Sequence, residues 1–133
     1  MNKKGFTLIE LLAVIVILAI IALIVTPVVS NIISSARKAA NARSVEGHIK
    51  NVEYAIIQKA FEEGTGDLSI YDNHTSDDSL RLSVTLPGGD AIKCGTLAIS
   101  NGTVTSASDC RDSSWAADNV FSYTEGTGAS SNN

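Results

Sequence analysis

Hydrophobic and polar residues are distributed very unevenly along this 133-residue chain. Residues 6–29 are almost wholly apolar, with Glu10 as the only ionisable side chain and Pro27 as the only helix breaker. About 20 helical residues, rising ~1.5 Å each, cross the ~30 Å hydrocarbon core of a bilayer. The segment therefore predicts a membrane-spanning helix. Lys3 and Lys4, immediately before it, favour an N-terminus in the cytoplasm and a C-terminal body outside.

A helical pattern continues beyond the apolar segment, through residues 30–62. Apolar residues recur there at spacings of three, four or six, while the charged residues fall mostly on other faces of the predicted helix. The clearest part of this stripe consists of Val45, Ile49, Val52 and Ile56. It requires a partner surface, which only the C-terminal region can supply. The segment Gly64-Thr65-Gly66 predicts the end of the helix.

Residues 63–79 are polar and rich in turn formers, and they predict a surface connection. Residues 80–133 follow as the C-terminal body. Strands are predicted at 80–86 and 91–100, where apolar and polar residues alternate, and a short third strand begins at Thr103. The fold class is therefore α+β, a long N-terminal helix packed on a small antiparallel sheet.

Two further details complete the prediction for the body. Asn101-Gly102 is the strongest hairpin signal in the chain. The last packed segment is expected around Trp115, Val120, Phe121 and Tyr123, and the final residues, TGASSNN, are expected to be a frayed tail.

Glu10 is the residue that a passive membrane anchor does not explain. A carboxylate within a lipid-exposed helix costs about 2.5–3.5 kcal/mol even on the lenient insertion scale, and no basic side chain lies within reach on the same helix face. Cleavage after Gly5 would free an α-amino group on Phe6, four residues before Glu10. We infer that this cation pairs with Glu10 of the same chain or of a neighbouring subunit.

Three simpler interpretations of the apolar segment compete with this one. A secretory signal peptide has an apolar core of 7–15 residues followed by a small-residue cleavage site, whereas this run is longer and lacks a good site close behind it. An unprocessed single-pass anchor leaves Glu10 unexplained. A buried core helix would need a much larger protein around it.

The segment KKGFTLIELL, followed by the aliphatic run and Pro27, resembles the prepilin signature of type IV pilins and pseudopilins. The resemblance covers residues 1 to about 30. It implies that a membrane aspartyl peptidase removes a leader, residues 1–5, by cutting between Gly5 and Phe6, and that the new Phe6 amine is methylated. It also implies that Glu10 recruits and registers subunits in a filament, and that Pro27 is the site of a kink.

The function implied is a structural subunit, inserted in the cytoplasmic membrane as a precursor and then built into an extracellular homo-oligomeric filament by pilus assembly machinery. A pseudopilin of a secretion or DNA-uptake machine is the alternative within the same fold. A membrane-anchored binding module that is never processed is the alternative from another class.

Composition and charge add exclusions. Removing Lys3 and Lys4 with the leader leaves 8 basic against 14 acidic residues, so the net charge falls from −4 to −6. An acidic body does not predict nucleic-acid binding. No catalytic constellation, cofactor motif or metal motif is recognisable, so we predict no enzyme and no cofactor. The acidic connection offers possible oxygen ligands for Ca²⁺ in Asp67, Asp72, Asp77 and Asp78, although their spacing matches no EF-hand loop.

Cys94 and Cys110 are the only two cysteines. In an exported protein such a pair is expected to form one disulfide, with Cys94 in the second strand and Cys110 in the loop after the third. Closing this loop would stabilise the body by ~3 kcal/mol. The arrangement also resembles the disulfide-bounded C-terminal region of many pilins.

Overall fold

The computed structural model describes residues 5–81, 86 and 91–132. The chain forms two compact units, Met1–Arg37 and Lys38–Asn133. Helix α1, Leu8–Glu63, contributes to both.

In the first unit, every side chain of residues 5–37 is exposed. The helix continues without interruption through Pro27, which lacks the N–H needed for the backbone hydrogen bond to residue 23. Two hydroxyl groups bond to carbonyls beside it: Thr26 Oγ1 donates to Ala22 O at 2.6 Å, and Ser30 Oγ donates to Thr26 O at 3.0 Å. Bonds of this kind accompany bent helices, so a bend at Pro27 remains a prediction.

The second unit packs the C-terminal part of α1 against a small sheet. Helix α1 ends at Glu63, and Gly64 takes φ 67° directly after it. This is the left-handed conformation that glycine provides at helix ends, and it confirms the predicted stop. A short 3-10 turn, Leu68–Tyr71, and helix α2, Asp77–Arg81, follow. The strands are β1 Ile92–Ser100, β2 Thr103–Asp112, β3 Phe121–Thr124 and β4 Gly128–Ser131.

The four strands form an antiparallel meander in the order β1-β2-β3-β4. The β1–β2 hairpin turns at Asn101-Gly102, where both residues have positive φ (51° and 80°), as a two-residue type I′ turn requires. The predicted α+β class is confirmed.

The disulfide between Cys94 and Cys110 is also confirmed, and the two residues are direct cross-strand partners in β1 and β2. The expected loop position of Cys110 was wrong. Residues 103–112 are mostly polar and alternate only weakly, so the sequence pattern did not predict a strand of this length. Its buried positions are only Val104, Ala107 and Cys110.

The core of this unit lies between α1 and the sheet. The predicted stripe Val45-Ile49-Val52-Ile56 is completely buried. Burial of such aliphatic side chains contributes about 1.5–3 kcal/mol each. The sheet and the connection cover the stripe with apolar residues that include Tyr71, Leu80, Leu97, Val104 and Phe121.

Two glutamates beside the stripe bind strand backbones. Glu53 Oε1 accepts a hydrogen bond from Val104 N at 3.0 Å, and Glu46 Oε1 accepts one from Ala129 N at 3.1 Å. Glu46 and Glu53 are seven residues apart, so they lie two helical turns apart on one face. The bond from Ala129, and secondarily the guanidinium of Arg43, holds the pKa of Glu46 below its ordinary value of 4.5.

Two details differ from the sequence prediction, and a third lies largely outside the described residues. Leu80 and Arg81 belong to α2, because the acidic pair before them begins a helical turn. The remainder of the predicted strand 80–86 lies outside the described residues, except for buried Leu86. The expected frayed tail is wrong from Gly128 to Ser131, since these small residues pair with β3 as the edge strand β4.

Candidate functional site

The N-terminus of α1 is closed by a reciprocal pair of hydrogen bonds. Thr7 N donates to Glu10 Oε2 at 3.0 Å, and Glu10 N donates to Thr7 Oγ1 at 3.3 Å. Thr7 O accepts from Leu11 N at 3.2 Å, which begins the helical ladder. This is a capping box, with a threonine at the N-cap position and a glutamate three residues later. Glu10 therefore has a local partner in the uncleaved chain.

The same carboxylate retains capacity for a second partner. An ionised carboxylate has two oxygens and about four acceptor sites, and the Thr7 N–H occupies one of them. Phe6 immediately precedes Thr7, is 90% exposed and lies outside the helix, as does Gly5. Both residues of the predicted cleavage bond therefore lie before the first residue of α1, Leu8.

The helix behind this cap presents large apolar side chains to its surroundings in every direction. Among the described residues, α1 is the one helix long and apolar enough to cross a membrane by length and composition. None of its apolar window is buried, so its pattern differs from that of a core helix of a soluble protein.

A comparison with protein-family models decides how this segment is interpreted. Residues 1–26 match the model described as the prokaryotic N-terminal methylation motif. The segment is a prepilin signature. This signature supports a type IV pilin-like or pseudopilin protein, and it implies processing by a prepilin peptidase and assembly into multi-subunit filaments. No curated protein and no solved structure matches the chain at a significant level.

Within the prepilin signature, the structure brings Thr7 and Glu10 together. Pro27 lies about five helical turns further along α1. The sequence analysis did not predict the capping role of Thr7. The pattern that identifies it is present, because Thr7-Leu-Ile-Glu10 is a capping-box sequence just before an apolar run.

A second polar cluster lies in the core of the other unit, and it too escaped the prediction. His48 Nε2 lies 2.6 Å from Asp77 Oδ2, and Asp77 Oδ2 also accepts a hydrogen bond from Cys94 N at 2.9 Å. His48 stands beside the apolar stripe of α1, and Asp77 is the first residue of α2. Because 29 residues separate them, local spacing gave no signal of this contact.

The acidic residues considered for calcium have partners of different kinds. Asp67 caps the 3-10 turn by accepting hydrogen bonds from Ser69 Oγ and Ser69 N, and these bonds, the first more than the second, lower the pKa of Asp67. Asp78 forms an ion pair with Lys93 at 3.2 Å, and Asp77 faces the core. Asp67 and Asp78 therefore each have a partner other than a cation.

Proposed function

We propose that this chain is a structural subunit of an extracellular type IV pilus-like filament, assembled through its N-terminal helix. The observation that carries the proposal is Glu10, an ionisable residue at the start of an otherwise apolar exposed helix. The cell-surface filament would serve adhesion, surface motility or biofilm formation.

The first step is insertion of the precursor in the cytoplasmic membrane. The apolar side chains of residues 6–29 face lipid, and the leader, residues 1–5, stays in the cytoplasm. The amphipathic continuation, residues 30–62, packs on the exported body. The connection 63–79 and the sheet region 80–133 then face the outside.

The second step is cleavage between Gly5 and Phe6, followed by methylation of the Phe6 amine. Cleavage adds a positive charge next to Thr7, whose N–H already holds the Glu10 carboxylate. The cap therefore positions the carboxylate, and the new amine supplies the cation. Pairing within the chain or with a neighbour offsets the ~2.5–3.5 kcal/mol cost of a charged group in lipid.

The third step exchanges lipid contacts for contacts with sister helices. A neighbouring subunit whose Phe6 amine lies at the depth of Glu10 gains an ion pair in a medium of low dielectric constant, where such attraction is strong. Association of this head-to-tail kind is heterologous and remains open-ended, so it produces a fibre.

Three variants separate the charge of Glu10 from its capping role. Glu10→Gln keeps a capping acceptor, since glutamine also serves in a capping box, but removes the charge. Glu10→Ala removes both, and Thr7→Val removes the threonine hydroxyl and leaves the charge. Glu62→Ala, on an exposed part of α1, is the matched control.

We expect all four precursors to accumulate in the membrane. Counting surface filaments by immunogold electron microscopy should show a loss of at least about tenfold for Glu10→Gln and Glu10→Ala, with near-normal numbers for Thr7→Val and Glu62→Ala. Normal filament numbers from Glu10→Gln would show that the charge has no role in assembly.

The second candidate is a pseudopilin of a type II secretion or DNA-uptake machine. The small body, one meander on one helix, is compatible with it. Cells that lack long fibres of this protein, and that lose secretion or transformation on its deletion, would favour this candidate over the pilus.

A further inference from the structure

The buried polar cluster in the second unit has the composition of a metal site. One ligand atom each of His48, Asp77 and Cys94 lie within 4.8 Å of one another, and all three residues are buried. They come from three different elements, α1, α2 and β1, that are packed together in the core. A site on such elements is held more rigidly than one on a loop.

One carboxylate oxygen of this cluster lacks a partner. Asp77 is 0% exposed, and its Oδ2 holds both His48 Nε2 and Cys94 N. Its Oδ1 is buried with no hydrogen-bond partner among the residues that the structure describes. An unsatisfied buried acceptor destabilises the folded chain, and more so when it belongs to a charged group. The position is therefore suited to binding something positive.

A second sulfur lies directly beside Cys94. Cys110 Sγ is covalently bonded to Cys94 Sγ in the oxidised chain and is 0% exposed. While the disulfide is intact neither sulfur is a thiolate, so the oxidised cluster offers a metal only His48 and Asp77. Reduction would place two thiols side by side on the core face of the β1–β2 pair.

We propose that the reduced chain binds one Zn²⁺ through His48, Asp77, Cys94 and Cys110. A dithiol reductant supplies two electrons and two protons to open the Cys94–Cys110 bond, and is itself converted to a disulfide. Zn²⁺ then displaces the two thiol protons to solvent and binds both thiolates, the neutral imidazole and the carboxylate.

The chemistry of the four groups matches zinc better than other common cations. Zn²⁺ takes four tetrahedral ligands from cysteine sulfur, histidine nitrogen and carboxylate oxygen, at about 2.3, 2.0 and 2.0–2.2 Å. The edges of such a tetrahedron are roughly 3.3–3.8 Å. The present 2.6 Å separation of His48 and Asp77 would open by about 1 Å or less. Calcium and magnesium, in contrast, are bound by oxygen ligands.

The consequence is that the same position in the core can be cross-linked either by a disulfide or by a metal ion. In oxidising surroundings the disulfide joins β1 to β2. In reducing surroundings a metal ion joins both strands to α1 and α2 as well. Zinc would thus protect the body in the condition in which the disulfide is open.

The test uses the full chain in detergent micelles, stripped of metal and handled without oxygen. Zn²⁺ is titrated against a chromophoric chelator, with the protein either oxidised or reduced by a water-soluble phosphine and desalted. We expect one Zn²⁺ per reduced chain and none per oxidised chain. Equal binding by the two forms would overturn the proposal.

Variants then assign the ligands. His48→Gln and Asp77→Asn should each weaken Zn²⁺ binding of the reduced chain by at least about tenfold, the lower end of the effect of losing even a supporting partner. His74→Gln, which changes the other histidine, is the matched control and should bind like the original. Unchanged affinity in His48→Gln and Asp77→Asn would mean that the thiols act alone, and would refute the four-ligand site.

Two measurements on the unaltered chain keep the test decisive where a variant fails to fold. Co²⁺ or Cd²⁺ added to the reduced chain should produce thiolate-to-metal charge-transfer absorption that the oxidised chain lacks. Zn²⁺ should also raise the melting temperature of the reduced chain only. Absence of the absorption band, or an equal rise in both forms, would contradict the proposal.

Discussion

Opening the disulfide should destabilise the body by an amount that follows from its position in the chain. Cys94 and Cys110 are 16 residues apart, and for a loop of that length the chain-entropy model gives about 3 kcal/mol of stabilisation. Small domains have only about 5–15 kcal/mol of stability in total. The loss would therefore be a substantial part of the free energy of unfolding.

The assay is urea denaturation of the full chain in detergent micelles, in the presence of a chelator that keeps metal ions away. Trp115 is the only tryptophan, and its ring meets Phe121 edge-on at 5.3 Å between centroids. Its fluorescence therefore reports packing of the body. With a urea dependence of about 1–3 kcal/mol per M, the midpoint should fall by about 1–3 M on reduction.

The oxidised and reduced proteins have the same side chains, so the difference between them measures the effect of the cross-link on stability. The double variant Cys94→Ala/Cys110→Ala should be no more stable than the reduced chain, since it also removes two buried sulfur atoms. Free energies of unfolding that agree within about 0.5 kcal/mol for the oxidised and reduced chains would refute the entropic reasoning.

Three further predictions concern the helix. Ile49→Ala should lower the free energy of unfolding, measured by urea denaturation, by about 2–5 kcal/mol. The exposed substitution Asn51→Ala should lower it by about 0.5 kcal/mol or less, and equal losses would contradict the assignment of the stripe to the core. Because the folded-state pKa of Glu46 is lowered, its stabilisation is present above about pH 4.5 and disappears as pH falls through the lower folded value. The difference in urea midpoint between the original chain and Glu46→Gln should therefore become smaller at acidic pH. A difference that stays constant with pH would contradict the stabilising role of the Glu46 carboxylate. Thr7→Ala should speed hydrogen exchange at the Glu10 amide about 2- to 30-fold, as expected for loss of a cap, and unchanged exchange would argue against the cap.

The long-range architecture was predictable where one periodicity dominates. The stripe through Val45 and Ile49 has helical spacing and large aliphatic side chains, so its burial followed directly. The Asn101-Gly102 turn needs positive φ at both residues, which few other pairs adopt as easily. Glycines after Glu63 similarly marked the end of α1.

The strands β2 to β4 were harder to predict because their side chains are small and polar. Gly128–Ser131 contains no large apolar residue, and its place in the sheet depends on pairing with β3 and on the hydrogen bond from Ala129 to Glu46. Both contacts join residues distant in sequence. Periodicity does not report such pairing.

The candidate sites divide in the same way. Glu10 was recognisable because a charge within an apolar helix is costly, and its cap with Thr7 spans only three residues. The contact of His48 with Asp77 depends on how α2 packs against α1, which no local pattern specifies. The local site was therefore accessible from the sequence, and the buried cluster required the fold.

We propose that the assembled chain begins at Phe6 and that its N-terminal helix is the assembly element. Mass spectrometry of the protein isolated from its own cells, in both membrane and sheared surface fractions, tests this most directly. We expect the surface fraction to contain a chain lacking residues 1–5, with a methylated amine on Phe6. A native protein that retains Met1 to Gly5 and occurs only in the membrane fraction would contradict it, and would identify an unprocessed anchored module instead.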